Sequence, residues 1–341
     1  MAMQTLQLER LLSAEGVTVE VVQTNAPYCP AFIGRLRGVR AVFRLLPYLW
    51  RVWRLAGRVD VIHLMANSGW SWQLFAAPVL WLASLRRTPV LVNYRGGEAR
   101  EYLAASARWV KPSLARATHL VVPSGFLQQV FREFGFGSEV VPNIIDLELF
   151  RPAAQRSERQ GFTLVVTRNL EPIYGLETAV RAIDIVRREV PDVRLQIAGS
   201  GPQRAELEAL ISALDLDGHV ELLGRLERDA VLALYQRADA MLNPTRVDNM
   251  PNSVLEALAC GLPVISTNVG GVPFIVEHEQ TALLVDPEDP QAMADAVLTL
   301  YRDQSLGADL RERGIHEVAR YSWNEVGPLW LNLYRRCGAP T

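Results

Sequence analysis

Asp248 and Glu256 stand eight residues apart in the segment Asn243 to Gly271, NPTRVDNMPNSVLEALACGLPVISTNVGG. Between them, Pro251 and Asn252 suit a helix start, and Gly261 suits a helix stop. The pattern therefore predicts a helix to Ala259, with Asp248 in the loop before it and Glu256 about one turn inside. Free N–H groups at a helix N-terminus attract an anion such as a diphosphate. Two carboxylates beside a diphosphate would repel it. Their placement makes sense if each accepts hydrogen bonds from hydroxyls, one from a sugar and one from a ribose. The plain alternative is that Asp248 is a loop residue and Glu256 only favours the first helical turn.

Other polar groups sit at the ends of apolar runs. Arg168 follows the strand-like run Phe162–Thr167, and Gly199 and Gly201 follow Val193–Ala198 in a turn that lets a ligand approach the backbone. That turn lacks a third glycine at dinucleotide spacing, which weighs against a nicotinamide oxidoreductase. Gly270-Gly271 forms a second flexible turn. In the first half, His63 ends a predicted strand, and Arg95 and Glu98 lie in NYRGGEAREY. Arg95 stays protonated and so cannot be a general base, but it can bind an anion. Glu98 and Glu101 either face an acceptor hydroxyl or are solvated charges at a helix start.

The elements that must position these groups alternate throughout. Strand candidates are Val17–Gln23, Val59–Met65, Pro89–Tyr94, His119–Val122 and Glu139–Val141, then Phe162–Thr167, Val193–Ala198, Val220–Leu223, Ala240–Leu242, Pro263–Ser266 and Ala282–Val285. Continuous apolar runs imply strands covered on both faces, and helices between them imply parallel βαβ units. The polar stretch Leu147–Gly161 reads as a linker, giving domains at 1–146 and 147–320 and a final helix within 321–341. A helix, Met3–Ser13 with Gly16 as its cap, comes before the first strand. A doubly wound domain normally begins with a strand, so the first strand and its loop are expected to be missing.

At 341 residues the chain can hold two cores, and its net charge of -2 offers no global attraction to nucleic acid. Cys29, Cys260 and Cys337 are scattered, which fits a reducing cytosol and makes a disulfide framework or zinc site unexpected. No signal peptide is read at the N-terminus. The uncharged stretch Gly69–Leu85 is short for a span and reads as a buried helix. Ile33–Arg58 holds seven arginines and no acid, with Phe43, Leu45, Leu46, Trp50, Trp53 and Leu55 among its apolar positions. It is either a helix lying at an anionic membrane surface or one packing inward with solvated arginines.

The segment DNMPNSVLEALACGLPV resembles the E-x7-E signature of retaining glycosyltransferase family 4, with Asp248 in the first acidic position and Glu256 in the second. TNVGGVPFIVEHEQTALLVDPEDP, PSGFLQQVFREFG and VPNIID resemble the family as well. The resemblance implies an α/β chain of two Rossmann-like domains facing a cleft, the GT-B fold, with the final helix returning to the first domain. It implies a hexose transferred from a UDP- or GDP-sugar to a glycan or lipid-linked acceptor, with no metal or other cofactor. Asp248 would orient the sugar, Glu256 the ribose, and Arg168 would face the diphosphate. Tyr174 takes the place of the family's second cation and brings no charge. Gly199, Gly201, Asn249, Met250, Pro251, Asn252, Ser253, Val254, Gly270 and Gly271 would line the donor. Arg95 stands where the family commonly has a histidine, so Arg95, Glu98 and His63 are the acceptor-side candidates. The implied place is the cytoplasm, at the inner face of the cell membrane, with Arg35–Arg58 against the lipid. Two alternatives stay open: an inactive or weakly active nucleotide-sugar-binding paralogue, and a sugar-nucleotide epimerase of the same architecture.

Overall fold

Parallel strands with both faces covered need two helical layers, and the computed structural model is made of two α/β units, each built on one parallel sheet. It describes residues 2–24, 40–154 and 161–338. One unit comprises residues 1–143 and 326–341, the other residues 144–325.

The N-terminal unit runs α1 (Ala2–Ala14), α2 (Arg40–Leu55), β1 (Ile62–Ala66), α3 (Ala77–Arg86), β2 (Val90–Tyr94), α4 (Ala99–Leu114), β3 (His119–Val122), α5 (Gly125–Glu133) and β4 (Glu139–Val140). Its sheet is parallel, in the order β1-β2-β3-β4. The C-terminal unit runs β5 (Thr163–Thr167), α6 (Leu176–Val186), β6 (Arg194–Ala198), α7 (Arg204–Ala213), β7 (Val220–Gly224), α8 (Arg228–Arg237), β8 (Ala240–Asn243), α9 (Asn252–Ala259), β9 (Val264–Thr267), β10 (Leu283–Val285), α10 (Pro290–Arg302) and α11 (Gln304–Val318). Its six parallel strands take the order β10-β9-β8-β5-β6-β7. The chain thus winds outward one way from β5 and then the other way from β8, which makes the β5–β8 boundary a topological switch point. A last helix, α12 (Trp323–Arg336), packs its buried Trp330 and Tyr334 with the N-terminal unit.

Alternation along each strand builds the two layers. In β5, Leu164 and Val166 join one core with α6 and α10, while Val165 joins the other with Met241, Val254 and Val264. Burying Val254, Leu255 and Leu258 anchors α9, at about 2 kcal/mol each.

Four sequence readings change. Val17–Gln23 forms no strand, because a strand exists only through pairing and no described strand lies beside it. The strand read at Val59–Met65 begins at Ile62, so His63 lies near its start rather than its end. Gly69–Leu85 is not a wholly buried helix: its second half is α3, which exposes Trp81 and Leu85. Phe150, read as linker, is buried in the core of the C-terminal unit. Cys29 and residues 25–39 of the basic segment lie outside the described residues.

Candidate functional site

The groups named from the sequence in the second half gather at the carboxyl ends of β5 and β8. Arg168 is the first residue after β5, and the loop holding Asp248 follows β8. Arg168 Nη2 donates to Asp248 Oδ2, so one ion pair bridges the switch point. Both side chains are 12% exposed. Asn243, the last residue of β8, accepts from Arg168 Nε at 3.0 Å and Nη2 at 2.9 Å. Its amide nitrogen donates to Ser266 Oγ of β9 at 2.8 Å. The guanidinium also lies over the Tyr174 ring, 5.0 Å from its centre. Asn243 was missed in the sequence; a polar residue closing an apolar strand was the available signal.

Behind Asp248, α9 starts at Asn252 with Pro251 as its N-cap and carries Glu256 one turn in. Burial pushes the Glu256 carboxyl up to about 7, while Tyr235, Arg228 and Arg168 pull it back. The Tyr235 hydroxyl lies 3.3 Å from both Glu256 Oε2 and the Ser253 carbonyl, and it contacts the Thr167 hydroxyl. Tyr235 reads in sequence as an ordinary core aromatic of α8, so nothing there signalled its contact with Glu256. The Val254 N–H already donates to the Pro251 carbonyl at 3.2 Å and is not spare for an anion. Ser253 Oγ is buried and has no hydrogen-bond partner among the described residues.

The glycines act through the backbone. Gly271 N–H donates to the Asp248 carbonyl at 2.8 Å, and a Cβ on Gly271 would collide with the Asn249 carbonyl oxygen. The Gly270-Gly271 turn therefore lets the chain lie against Asp248 and Asn249 and hold them. Gly199 and Gly201 are needed for the same kind of reason: a Cβ there would meet the carbonyls of Arg168 and Leu170. All four glycines are thus needed for loop packing. Gly271→Ala is expected to displace the Asp248 loop and lower stability by roughly 2 kcal/mol or more. A thermal unfolding curve equal to wild type would show that the contact is not needed.

The first-half candidates lie in the N-terminal unit, as a separate network. Arg95 donates to Asn93 Oδ1 at 3.3 Å and to Asn143 Oδ1. That fixes the Asn93 amide, whose nitrogen donates to His63 Nε2 at 3.0 Å. His63 Nδ1 then carries the proton and donates to the Tyr334 hydroxyl at 2.7 Å. Burial, and then Arg95, hold the His63 pKa down to about 3. The ring is neutral with both nitrogens engaged, so it braces α12 and has no lone pair for an acceptor. Burial lowers Arg95 to about 10, still protonated at neutral pH. Glu98 is exposed at the start of α4.

Comparison with known proteins adds the following. Residues 1–149 match the family described as Glycosyltransferase Family 4, and residues 148–317 match Glycosyl transferases group 1. The GDP-mannose-dependent alpha-(1-6)-phosphatidylinositol monomannoside mannosyltransferase of Mycobacterium tuberculosis is 31% identical over 288 residues, covering 77% of this chain and 75% of that protein. The phosphatidylinositol N-acetylglucosaminyltransferase gpi3 subunit of Schizosaccharomyces pombe is 31% identical over 196 residues, 57% of this chain. That match spans 42% of the yeast subunit, less than half its length. Among solved structures, Anabaena HepE in complex with UDP gives a TM-score of 0.74 at 19% identity, covering 95% of this chain and 88% of that one. Sucrose-phosphate synthase from Thermosynechococcus elongatus gives 0.71 at 24% identity, covering 86% and 78%. At these identities the structural likeness speaks for the fold alone.

Proposed function

This chain belongs to glycosyltransferase family 4 and has the GT-B fold, and on that premise we propose that it moves a hexose, with retention of configuration, from a UDP- or GDP-sugar to a glycan or lipid-linked acceptor. The observation that carries the reading is the convergence of Arg168, Asp248 and the α9 start on the switch point of one sheet. Open α/β sheets bind ligands at that place.

The proposed roles follow from charge. Arg168 and the buried Ser253 hydroxyl at the α9 start receive the diphosphate, whose negative charge grows as the bond from sugar C1 to the phosphate oxygen breaks. A new bond forms from C1 to the acceptor oxygen on the same face, and the acceptor proton passes to the departing phosphate. Glu256 accepts from the ribose hydroxyls. Asp248 Oδ2 is held by Arg168, leaving Oδ1 to orient a sugar hydroxyl. The reading assigns the leaving charge to these groups and needs no metal ion. The two relatives are named for sugar transfer to phosphatidylinositol lipids, which supports a lipid-borne acceptor. A weakly active nucleotide-sugar-binding role is the second reading, and it is favoured by Tyr174, which gives Arg168 a ring to lie on but adds no second charge.

Calorimetric titration with UDP, GDP and their common sugar conjugates tests the site. Micromolar binding of one nucleotide is expected, with nucleotide released when acceptor is added. Binding without release would favour the second reading, conversion of donor without acceptor would mark an epimerase, and no binding to any of them would overturn the donor site.

A further inference from the structure

Tyr235 carries a hydroxyl that packing alone does not ask for. Along α8, Val231, Leu234 and Tyr235 and, just past its end, Ala238 face one core, the i, i+3, i+4, i+7 face of a helix. The ring serves there as an apolar body, with its centre 6.3 Å from that of Phe150. A phenylalanine would fill the same space. Tyr235 is only 1% exposed, so its hydroxyl is cut off from water and costs stability unless the fold supplies partners.

The partners come from two further elements, and all of them belong to the proposed donor site. The Thr167 hydroxyl closes β5, one residue before Arg168. The Ser253 carbonyl lies in the first turn of α9, and Glu256 Oε2 follows one turn on. A tyrosine hydroxyl has one hydrogen to give and can also accept. It lies 3.3 Å from both the carbonyl and the carboxyl oxygen, longer than the ~2.8 Å of a settled O–H···O bond, so one hydrogen stands between two acceptors. The state of Glu256 decides which of them receives it. The Ser253 carbonyl already faces the Ala257 N–H four residues on in the helix. A carboxylate is the stronger acceptor, so with Glu256 ionised the hydrogen goes to Oε2 while Tyr235 accepts from Thr167. With Glu256 protonated, the carboxylic O–H turns to the tyrosine oxygen and Tyr235 donates to the carbonyl.

Other charged and titratable groups face Glu256 without touching it. Arg228 of α8 lies over the Phe150 ring and 3.6 Å from Asp146, and Arg168 is engaged by Asn243 and Asp248. The Cys260 thiol, pushed up to about 12 chiefly by burial, stays neutral. Among the described residues Tyr235 is thus the one group that hydrogen-bonds the Glu256 side chain, and Oε1 has no partner.

We propose that Tyr235 is a positioning residue for Glu256: its hydroxyl ties Oε2 to the ends of β5 and α9, leaves Oε1 to the ribose hydroxyls and favours the ionised carboxyl that accepts them. The inference deepens the proposed function and rests on it for the ribose, but the state of Glu256 is read with no nucleotide present.

Tyr235→Phe keeps the ring and removes the contact. Unfolding of wild type and Tyr235→Phe, each with and without Glu256→Gln, is measured from pH 5 to 9. Because the folded Glu256 carboxyl is raised, stability falls with pH above 4.5, and the difference between the Glu and Gln forms levels off once the folded carboxyl has ionised, near pH 7 in wild type. Loss of a hydrogen bond to the charged form should move that levelling-off pH up by about half to one unit, a roughly three- to tenfold rise in proton affinity. Phe150→Leu loosens the same core without removing the hydroxyl and should leave the levelling-off pH in place. Binding of UDP or GDP by Tyr235→Phe should weaken about three- to tenfold at pH 7 and by less at pH 9, where Glu256 is ionised in both. An unmoved levelling-off pH in Tyr235→Phe overturns the proposal. So does an equal move in Phe150→Leu, which would trace the shift to packing. If wild type binds neither nucleotide, the donor reading falls while the unfolding series still tests the hydroxyl. If it binds one and the levelling-off pH does not move, the role of Tyr235 falls alone and the donor site stands.

Discussion

Glu256→Gln is expected to weaken nucleoside diphosphate binding about ten- to hundredfold at pH 8, the loss that follows when hydroxyl groups lose a charged acceptor. The pH dependence is the sharper test. Burial raises the Glu256 carboxyl from 4.5 to about 7, so the carboxylate proposed to accept the hydroxyls forms only as pH passes through 7. Wild-type affinity should therefore rise between pH 6 and 8, while the glutamine variant stays flat over that range. Stability should move the other way. An acid whose folded pKa is raised holds a proton that the unfolded chain has already released. Its contribution is most favourable below pH 4.5 and is lost as pH rises through 7, by about 3 kcal/mol in all. Glu256→Gln removes that loss, so against wild type the variant should gain stability from pH 5 to pH 8. Calorimetry and thermal unfolding at both ends of the range measure the two effects. Unchanged nucleotide affinity would end the role assigned to Glu256.

The second large effect concerns the ion pair across the switch point. Arg168→Ala leaves Asp248 with its side chain 12% exposed and its cation gone. Breaking a buried pair from one side costs about 3–5 kcal/mol. Removing both charges, as Arg168→Ala with Asp248→Asn, should recover most of that loss. Donor binding should not recover, because the cation proposed to face the diphosphate is absent in both variants, and turnover should fall at least about a hundredfold. A double variant that binds nucleotide like wild type would show that Arg168 is structural only. A double variant no more stable than Arg168→Ala would show that the orphaned carboxylate was not the source of the loss.

Much of the C-terminal half was legible because its signals are local. Pro251, Asn252 and Gly261 bracket an eight-residue helix that the structure has at Asn252–Ala259. The apolar runs at 193–198 and 220–223 became β6 and β7 within a residue or two, since a strand buried on both faces needs an unbroken apolar run. Gly270 and Gly271 were noticed, but their reason was not. A collision between a Cβ and a carbonyl some twenty residues earlier is a property of packing, and no local pattern encodes it.

The N-terminal half was read less well for the same physical reason. Val17–Gln23 has a strand's composition but pairs with nothing described, and pairing is a non-local event. His63 looked available for chemistry until the backbone brought Asn93 and Tyr334 to its two nitrogens from 30 and 271 residues away. The two readings of the basic helix turned out to be compatible, because α2 carries one apolar stripe for the core and another that stays exposed.

The amino-acid sequence by itself determined the alternation of strand and helix, the carboxylate pair around a helix start and the arginine after the first strand of the second unit. These depend on side-chain type and on the periods of one helix or one strand. Only the tertiary structure decided that Arg168 and Asp248 meet and that Glu256 titrates near neutrality beside Tyr235. Those outcomes depend on which strands become neighbours and which faces their helices cover, and a parallel sheet settles both through contacts between residues far apart in the chain.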